Sequence, residues 1–354
     1  MIANDGNSSQ FRPIAILMLT GLLLVQPFSS VGATQACNEY LVAEYGAQVL
    51  SRITADGDRI VLHTFEEGTW PRNVAVDSRG NFIVTELLAD VLSRITSNGF
   101  RTVICQFSRG TLPDSVAINS EGDYIVTESG VNLLSKISPN GTRTIVYTFS
   151  GWTWAANIVV DPGGNYIIAE SGADLLSRVT PNGTRTVLYR FAGGSGETWP
   201  LGVAIDSTGS YIVTEYNAQM LSRISPDGVR TVIYRFAGGT YPAGVAIDSE
   251  GNYVVAELSV NVLSKITPLG ARTVIRAFAA GTSPSSVAVL RTGTSNYSVE
   301  MHASAISLEI VALCIGLGIV VGSIFYVMGK PGKPRSLMHA KVSVSLCHSA
   351  SVVI

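Results

Sequence analysis

The sequence predicts an all-β fold, a six-bladed β-propeller of four-stranded antiparallel blades with end-to-end closure, followed by one C-terminal transmembrane helix. Three observations predict it. One stretch, seen from Tyr124 as "YIVTESGVNLLSKISPNGTRTIVYTF", recurs along the chain with a glutamate inside it each time. Each copy breaks into four short runs rich in Val, Ile, Tyr and Thr, bounded by Gly, Pro, Asn and Asp, which is the composition of strands and turns. The incomplete units at the two ends complement each other.

Residues 1–36 read as a secretory signal. Arg12 precedes the apolar run Ile14–Val25, and small residues lead to a cut near Ala33 or Ala36. A basic start, a short apolar core and small residues mark such a leader, and the run is short for a spanning helix.

The repeat occupies 37–290. The glutamates Glu44, Glu86, Glu128, Glu170, Glu215 and Glu257 are spaced 42, 42, 42, 45 and 42 residues apart. A second marker, Trp70, Leu112, Trp154, Trp199, Tyr241 and Ser283, has the same five spacings with the 45 one step earlier. The single insertion therefore lies between Glu170 and Trp199, in "AGGSGE". The third copy reads as a strand "DSVAIN", a turn, a strand "YIVTE", a loop, a strand "LLSKIS", the turn "PNG" and a strand "TRTIVYTF". Asn or Asp before Gly suits the positive φ of a hairpin turn. Four short strands at this period are one propeller blade. The region begins mid-unit with "NEYLVAE" and ends with a lone innermost strand, "SPSSVAVL", at Ser283–Leu290. Together these make one complete blade, so six blades close a ring without exposed edges.

After a short stalk at 291–304, the segment 305–328 contains Ile310–Met328, nineteen uncharged residues, enough to span a bilayer. Lys330, Lys333, Arg335 and Lys341 follow, which places the tail 329–354 in the cytoplasm and the propeller outside the cell. Gly318 and Gly322 form a GxxxG pattern that can pack membrane helices. Cys37 and Cys105 would both be extracellular, where they either pair or remain thiols. Asn140, Asn182 and Asn296 head Asn-x-Ser/Thr sequons, eligible for glycosylation in a host that performs it. The net charge of -2 argues against a nucleic-acid partner, which needs a clustered basic surface.

The stretches "PLGVAIDSTGSYIVTE" and "PAGVAIDSEGNYVVAE" resemble the NHL-type repeat. The "VTE…LSRI" half of the unit is similar to the virginiamycin B (streptogramin) lyase family. The resemblance covers 37–290 and implies a propeller; it implies no one activity, because this fold hosts enzymes, binders and scaffolds. The lyase family carries histidines on its active face. Here His63 falls in an outermost strand, and His302, His339 and His348 lie beyond the repeats. The lyase resemblance therefore lacks its base.

In such a blade the loop after the second strand and the loop entering the innermost strand open on one face. The six glutamates and the second marker thus gather around the channel mouth, with Gln48, Asp90, Asn132, Asp174, Gln219 and Asn261 in the same loops. Carboxylates and amides are hard oxygen ligands, so Glu44, Glu86, Glu128, Glu170, Glu215 and Glu257 are candidate ligands for Ca²⁺ or Mg²⁺. Propellers resembling gluconolactonases hold a divalent metal in this way, which the resemblance makes a possibility here. The competing reading is that a residue present in every blade serves the blade, accepting backbone N–H bonds in its loop. Trp70, Trp154, Trp199 and Tyr241, with Asp114 where no other blade carries an acid, are the candidate ligand-binding residues, because aromatic faces suit sugars and cations. Arg52, Arg94, Lys136, Arg178, Arg223 and Lys265 lie on third strands, and Arg59, Arg101, Arg143, Arg185, Arg230 and Arg272 open fourth strands. These read either as a basic belt for acidic polysaccharide or as cross-strand partners of nearby acids.

No Ser/His/Asp triad or Cys/His pair can be assembled, so the sequence offers no catalytic residue. The expected function is a membrane-anchored, cell-surface binding module for a ligand, glycan or protein. The alternative is a metal-dependent lyase or lactone hydrolase in the channel, with a glutamate as base.

Overall fold

The computed structural model describes residues 38–191, 197–291, 297–302, 320–324 and 339–345. The first blade takes β1 (Asn38–Glu44), β2 (Val49–Ile53) and β3 (Arg59–Thr64). The second is β4 (Pro71–Val76), β5 (Phe82–Glu86), β6 (Val91–Ile95) and β7 (Arg101–Gln106). The third is β8 (Pro113–Ile118), β9 (Tyr124–Glu128), β10 (Leu133–Ile137) and β11 (Arg143–Thr148). The fourth is β12 (Ala155–Val160), β13 (Tyr166–Glu170), β14 (Leu175–Val179) and β15 (Arg185–Arg190). The fifth is β16 (Pro200–Ile205), β17 (Tyr211–Glu215), β18 (Met220–Ile224) and β19 (Arg230–Arg235). The sixth is β20 (Pro242–Ile247), β21 (Tyr253–Glu257), β22 (Val262–Ile266) and β23 (Arg272–Ala277). The last strand, β24 (Pro284–Arg291), pairs antiparallel with β1 and completes the first blade. The chain is a six-bladed propeller closed by its own ends, as the complementary half-units require.

Burial explains why one blade is not enough. Second strands such as β9 are buried at every position, whereas outermost strands such as β11 are largely exposed. A strand buried on both faces needs a neighbour on each side. Six apolar clusters supply them, one at each junction. Tyr40, Val42, Ile53 and Val287 of the first blade meet Val254 and Leu263 of the sixth to shut the ring. The hairpin turns fit the same packing. Gly141 has φ of +89°, and a Cβ there would lie 2.4 Å from the Ile104 carbonyl oxygen of the preceding blade, so glycine is required on both counts.

The region after the ring differs from expectation. The predicted membrane helix over 305–328 falls mostly outside the described residues, and its described part is a strand, β26 (Val320–Ile324). Strand β25 (Tyr297–His302), within the expected stalk, pairs with β27 (His339–Ser345), which also pairs with β26. Three β-branched residues in "VVGSI" favour the extended form locally. Among the described residues no helix is long and apolar enough to cross a membrane. The expected signal over 1–36, Cys37 and Asn296 lie outside the described residues, while Cys105 carries a buried thiol on β7.

Tyr40 reports on closure, because it lies opposite Val289 of β24 and Ile53 of β2. Burial first, then the charges of Asp248 and Glu250, push its phenol up to about 12 from 10.0. A group raised on folding stabilises fully below its unfolded value and loses that contribution as pH rises through the folded one. The protein should lose about 3 kcal/mol from this group between pH 10 and 12. Urea unfolding across that range should show a smaller loss for Tyr40→Phe; equal losses in the two proteins would contradict the assignment.

Candidate functional site

The glutamates end β1, β5, β9, β13, β17 and β21, and none is more than 2% exposed. In every blade an arginine 15 residues later, the first residue of the fourth strand, grips both carboxylate oxygens through Nε and Nη2 at 2.5–2.9 Å. The pair runs diagonally across the blade. Glu44 is opposite Val49 of β2, whereas Arg59 is opposite Ile53 at the other end of that strand. Serine in the middle of the third strand leaves room for the crossing, and Ser51, Ser177, Ser222 and Ser264 also donate to their glutamates. Ser93 and Ser135 make no such bond.

The structure gives the glutamates a different task from the expected cation site. Each carboxylate is turned into its own blade and engaged at both oxygens. Among the described residues no group of three or more His, Cys, Asp or Glu is arranged to hold a metal ion. The expected backbone capping is likewise replaced by this ion pair. It also absorbs half of the predicted basic belt. Of the third-strand cations, Arg52, Lys136, Arg223 and Lys265 pair with Glu39, Asp123, Asp206 and Glu250.

The polar loop residues act as clasps. Gln48, Asp90, Asn132, Asp174, Gln219 and Asn261 all adopt φ of 51–56°. The Asp90 carboxylate accepts from the N–H groups of Gly110 and Leu112, and Asn261 Oδ1 accepts from that of Ser283. They fold the loop that enters each following innermost strand. The second marker residues also sit at positive φ, 44–56°. Their carbonyls accept from the residue after the next glutamate, as Trp70 does from Leu87 and Trp199 from Tyr216. Leu112 and Ser283 adopt the same backbone, so this conformation belongs to the fold and only the side chains differ.

Alternation along the strand then builds a site. The glutamate faces into the blade and its neighbour, Tyr45, Leu87, Tyr216 or Leu258, faces the channel mouth. There an open basin of about 240 Å³ is walled by Tyr45, Arg72, Asp114, Trp152, Trp154, Trp199, Leu201 and Tyr216, among others. Trp154 and Trp199 stack with centroids 6.5 Å apart; Trp199 meets Tyr216 at 6.0 Å, and Tyr216 meets Tyr241 at 4.9 Å. Tyr45 and Trp70 pack at 4.7 Å on the other side. Trp152 is 60% exposed at the rim. Below the basin the channel shrinks to about 10 Å³ between Asn73, Ala156, Gly202 and Gly244, room for little more than one water.

At the basin floor Arg72 Nε donates to Asp114 Oδ1 at 2.8 Å, and the Trp154 indole N–H donates to Asp114 Oδ2 at 3.2 Å. The Arg72 guanidinium lies 5.9 Å from the centroid of the Tyr45 ring. Burial works against the charge on Arg72, but the charge and hydrogen bond of Asp114 outweigh it and raise its pKa. Burial raises the phenols of Tyr45 and Tyr216, and Arg72 draws both back down. Arg72 is therefore charged and the tyrosines neutral at physiological pH.

Of the predicted ligand-binding residues, Trp154, Trp199 and Asp114 line the basin, while Trp70 and Tyr241 support it through Tyr45 and Tyr216. Arg72, Tyr45, Tyr216 and Trp152 were not singled out in the sequence. Arg72 had a legible signal, since it stands two residues after its marker, in the same column as Asp114. His63 is on the outer strand β3, with Nδ1 3.0 Å from the Gly99 carbonyl oxygen.

The fold is similar to solved propellers. Virginiamycin B lyase from Staphylococcus aureus aligns with a TM-score of 0.57 at 16% identity over 70% of this chain and 84% of that one. A catalytically inactive histidine-to-alanine form of the Staphylococcus aureus lyase, with quinupristin, aligns at 0.55 and 17% over 68% and 85%. A chain of the nidogen/laminin complex aligns at 0.61 and 15% over 71% and 98%. At these identities the likeness is one of fold. No protein-family model and no curated protein matches the chain.

The glutamate–arginine fork predicts a specific stability pattern. Arg143→Met leaves Glu128, which has no exposed surface, without its partner. The loss should be about 3 kcal/mol, near the low end for breaking a buried pair because the arginine keeps some solvent contact. Glu128→Leu combined with Arg143→Met should lose less than Arg143→Met alone. A urea-unfolding cycle measures this, and a double variant weaker than both singles would rule out the pairing as the source.

Proposed function

We propose that this chain is a cell-surface binding module that takes its ligand in the aromatic basin at the channel mouth. The observation that carries the reading is the asymmetry of that basin. Every blade shares the glutamate, arginine and clasp, but only some contribute Trp, Tyr, Arg or Asp to the floor and walls. Symmetric positions serve the fold, and the asymmetric ones are free for recognition. The metal-dependent lyase or hydrolase reading fits less well. Asp114, the carboxylate on the floor, is held by Arg72 and Trp154 and is not free to ligate a divalent cation. Both oxygens of Asp114 are engaged, which leaves it poorly placed as a general base.

The secretory leader over 1–36, the uncharged segment within 305–328 and the lysines and arginine after it support an extracellular propeller with a membrane anchor and a cytoplasmic tail. In this reading the basin faces outward to an extracellular ligand, glycan or protein.

Screening the full chain against saccharides, peptides and small aromatic compounds by tryptophan fluorescence tests the site. Trp154→Ala and Trp199→Ala should each weaken binding about tenfold while leaving the melting transition near its wild-type position. Binding that survives both changes would place the ligand elsewhere. For topology, an epitope at the C-terminus should be reached by antibody only after cells are permeabilised, while protease on intact cells should cut the propeller. Labelling of the C-terminus on intact cells would refute the orientation.

A further inference from the structure

The charge arrangement on the basin floor narrows the ligand class, given that the basin is the binding site. Arg72 uses only Nε on Asp114, and its two Nη groups donate to no acceptor among the described residues. The basin therefore offers the Arg72 Nη donors beside aromatic faces. A purely apolar ligand would bury those donors unpaired, which is costly. A cationic ligand gains little, because Arg72 already occupies the face of Tyr45 and both oxygens of Asp114 are engaged. An anion gains little, because Asp114 cancels the arginine charge at 2.8 Å and would repel a second carboxylate in a site screened from water.

What remains is an uncharged ring with oxygen acceptors on its edge and apolar C–H faces. The volume of about 240 Å³ exceeds the roughly 150 Å³ of a cavity that holds benzene, the scale of a single substituted ring. The channel closes below to about 10 Å³, so a longer chain must enter by its end. We infer that the basin binds the terminal ring of a neutral saccharide, stacked on Trp154 and Trp199 with its hydroxyl oxygens accepting from the Arg72 Nη groups.

Titration of the full chain with short neutral oligosaccharides, their uronic-acid and amino-sugar counterparts, and cyclic aromatic peptides tests this, read by tryptophan fluorescence and calorimetry. Neutral saccharides should bind at least tenfold tighter than the acidic or amino forms. Asp114→Asn should unmask Arg72 and move the preference at least tenfold toward the uronic acids; its melting curve reports folding. Should that variant fail to fold, the wild-type ranking and the loss of saccharide binding in Arg72→Met decide alone. A wild-type preference for acidic sugars, or retained saccharide binding in Arg72→Met, overturns the inference. Binding of cyclic peptides but not saccharides, abolished by Trp199→Ala, also overturns it while leaving the basin as the binding site. No response to any probe sinks both.

Discussion

A blade of this protein has a second strand buried on both faces, and four strands cannot cover it alone. Covering each face with the next blade leads around a circle, and the last junction is met only when β24 returns to β1. That requirement for two-sided burial explains the six matching apolar clusters and the pairing of the chain ends. It also explains the glutamate–arginine fork. A polar residue closing a fully buried strand must bring its own partner, because water does not reach it. The arginine enters from the outermost strand, where its stem can lie along the blade and its head keeps some solvent contact. Serine on the strand between them is small enough to let the two meet.

The same geometry separates the blade interior from the channel mouth by a single residue. Side chains alternate along a strand, so the glutamate that faces into the blade is followed by a side chain at the channel mouth. The loops there are held by two sets of residues at positive φ, one clasping through side chains and one through carbonyls. With the backbone held by the repeat, the mouth can carry different side chains in each blade without disturbing the ring. Tyrosine, leucine and serine all occur after the glutamate, and tryptophan, leucine, tyrosine and serine all occur at the second marker. The distinctive side chains concentrate where this freedom was used: two tryptophans stacked on one wall and an ion pair between neighbouring blades.

The Arg72–Asp114 pair gives that surface its chemical character. Each residue comes from the innermost strand of a different blade, and Trp154, from a third, completes the carboxylate's contacts. The result is a floor without net charge that still presents donors. Among solved propellers of similar shape are a streptogramin-type lyase and a chain of a laminin complex, and this fold alone does not choose between such roles. On the floor of this chain both oxygens of its carboxylate, Asp114, are engaged.

The sequence by itself determined the ring. Two marker series with matching spacings, turn residues at each boundary and complementary half-units specify six blades and their closure, because periodicity and turn chemistry are local properties. It also placed Trp154, Trp199 and Asp114 near one mouth, since blade topology puts equivalent loops on one face. The partner of the glutamate was decided only in three dimensions. Glu128 and Arg143 are both visible as repeats, but their spacing reads as two separate features until the diagonal register across β10 brings them together. Arg72 and Tyr45 lie far from Trp154 along the chain, so neither reads as part of one site. Curvature of the ring, a property of all six blades at once, makes them neighbours.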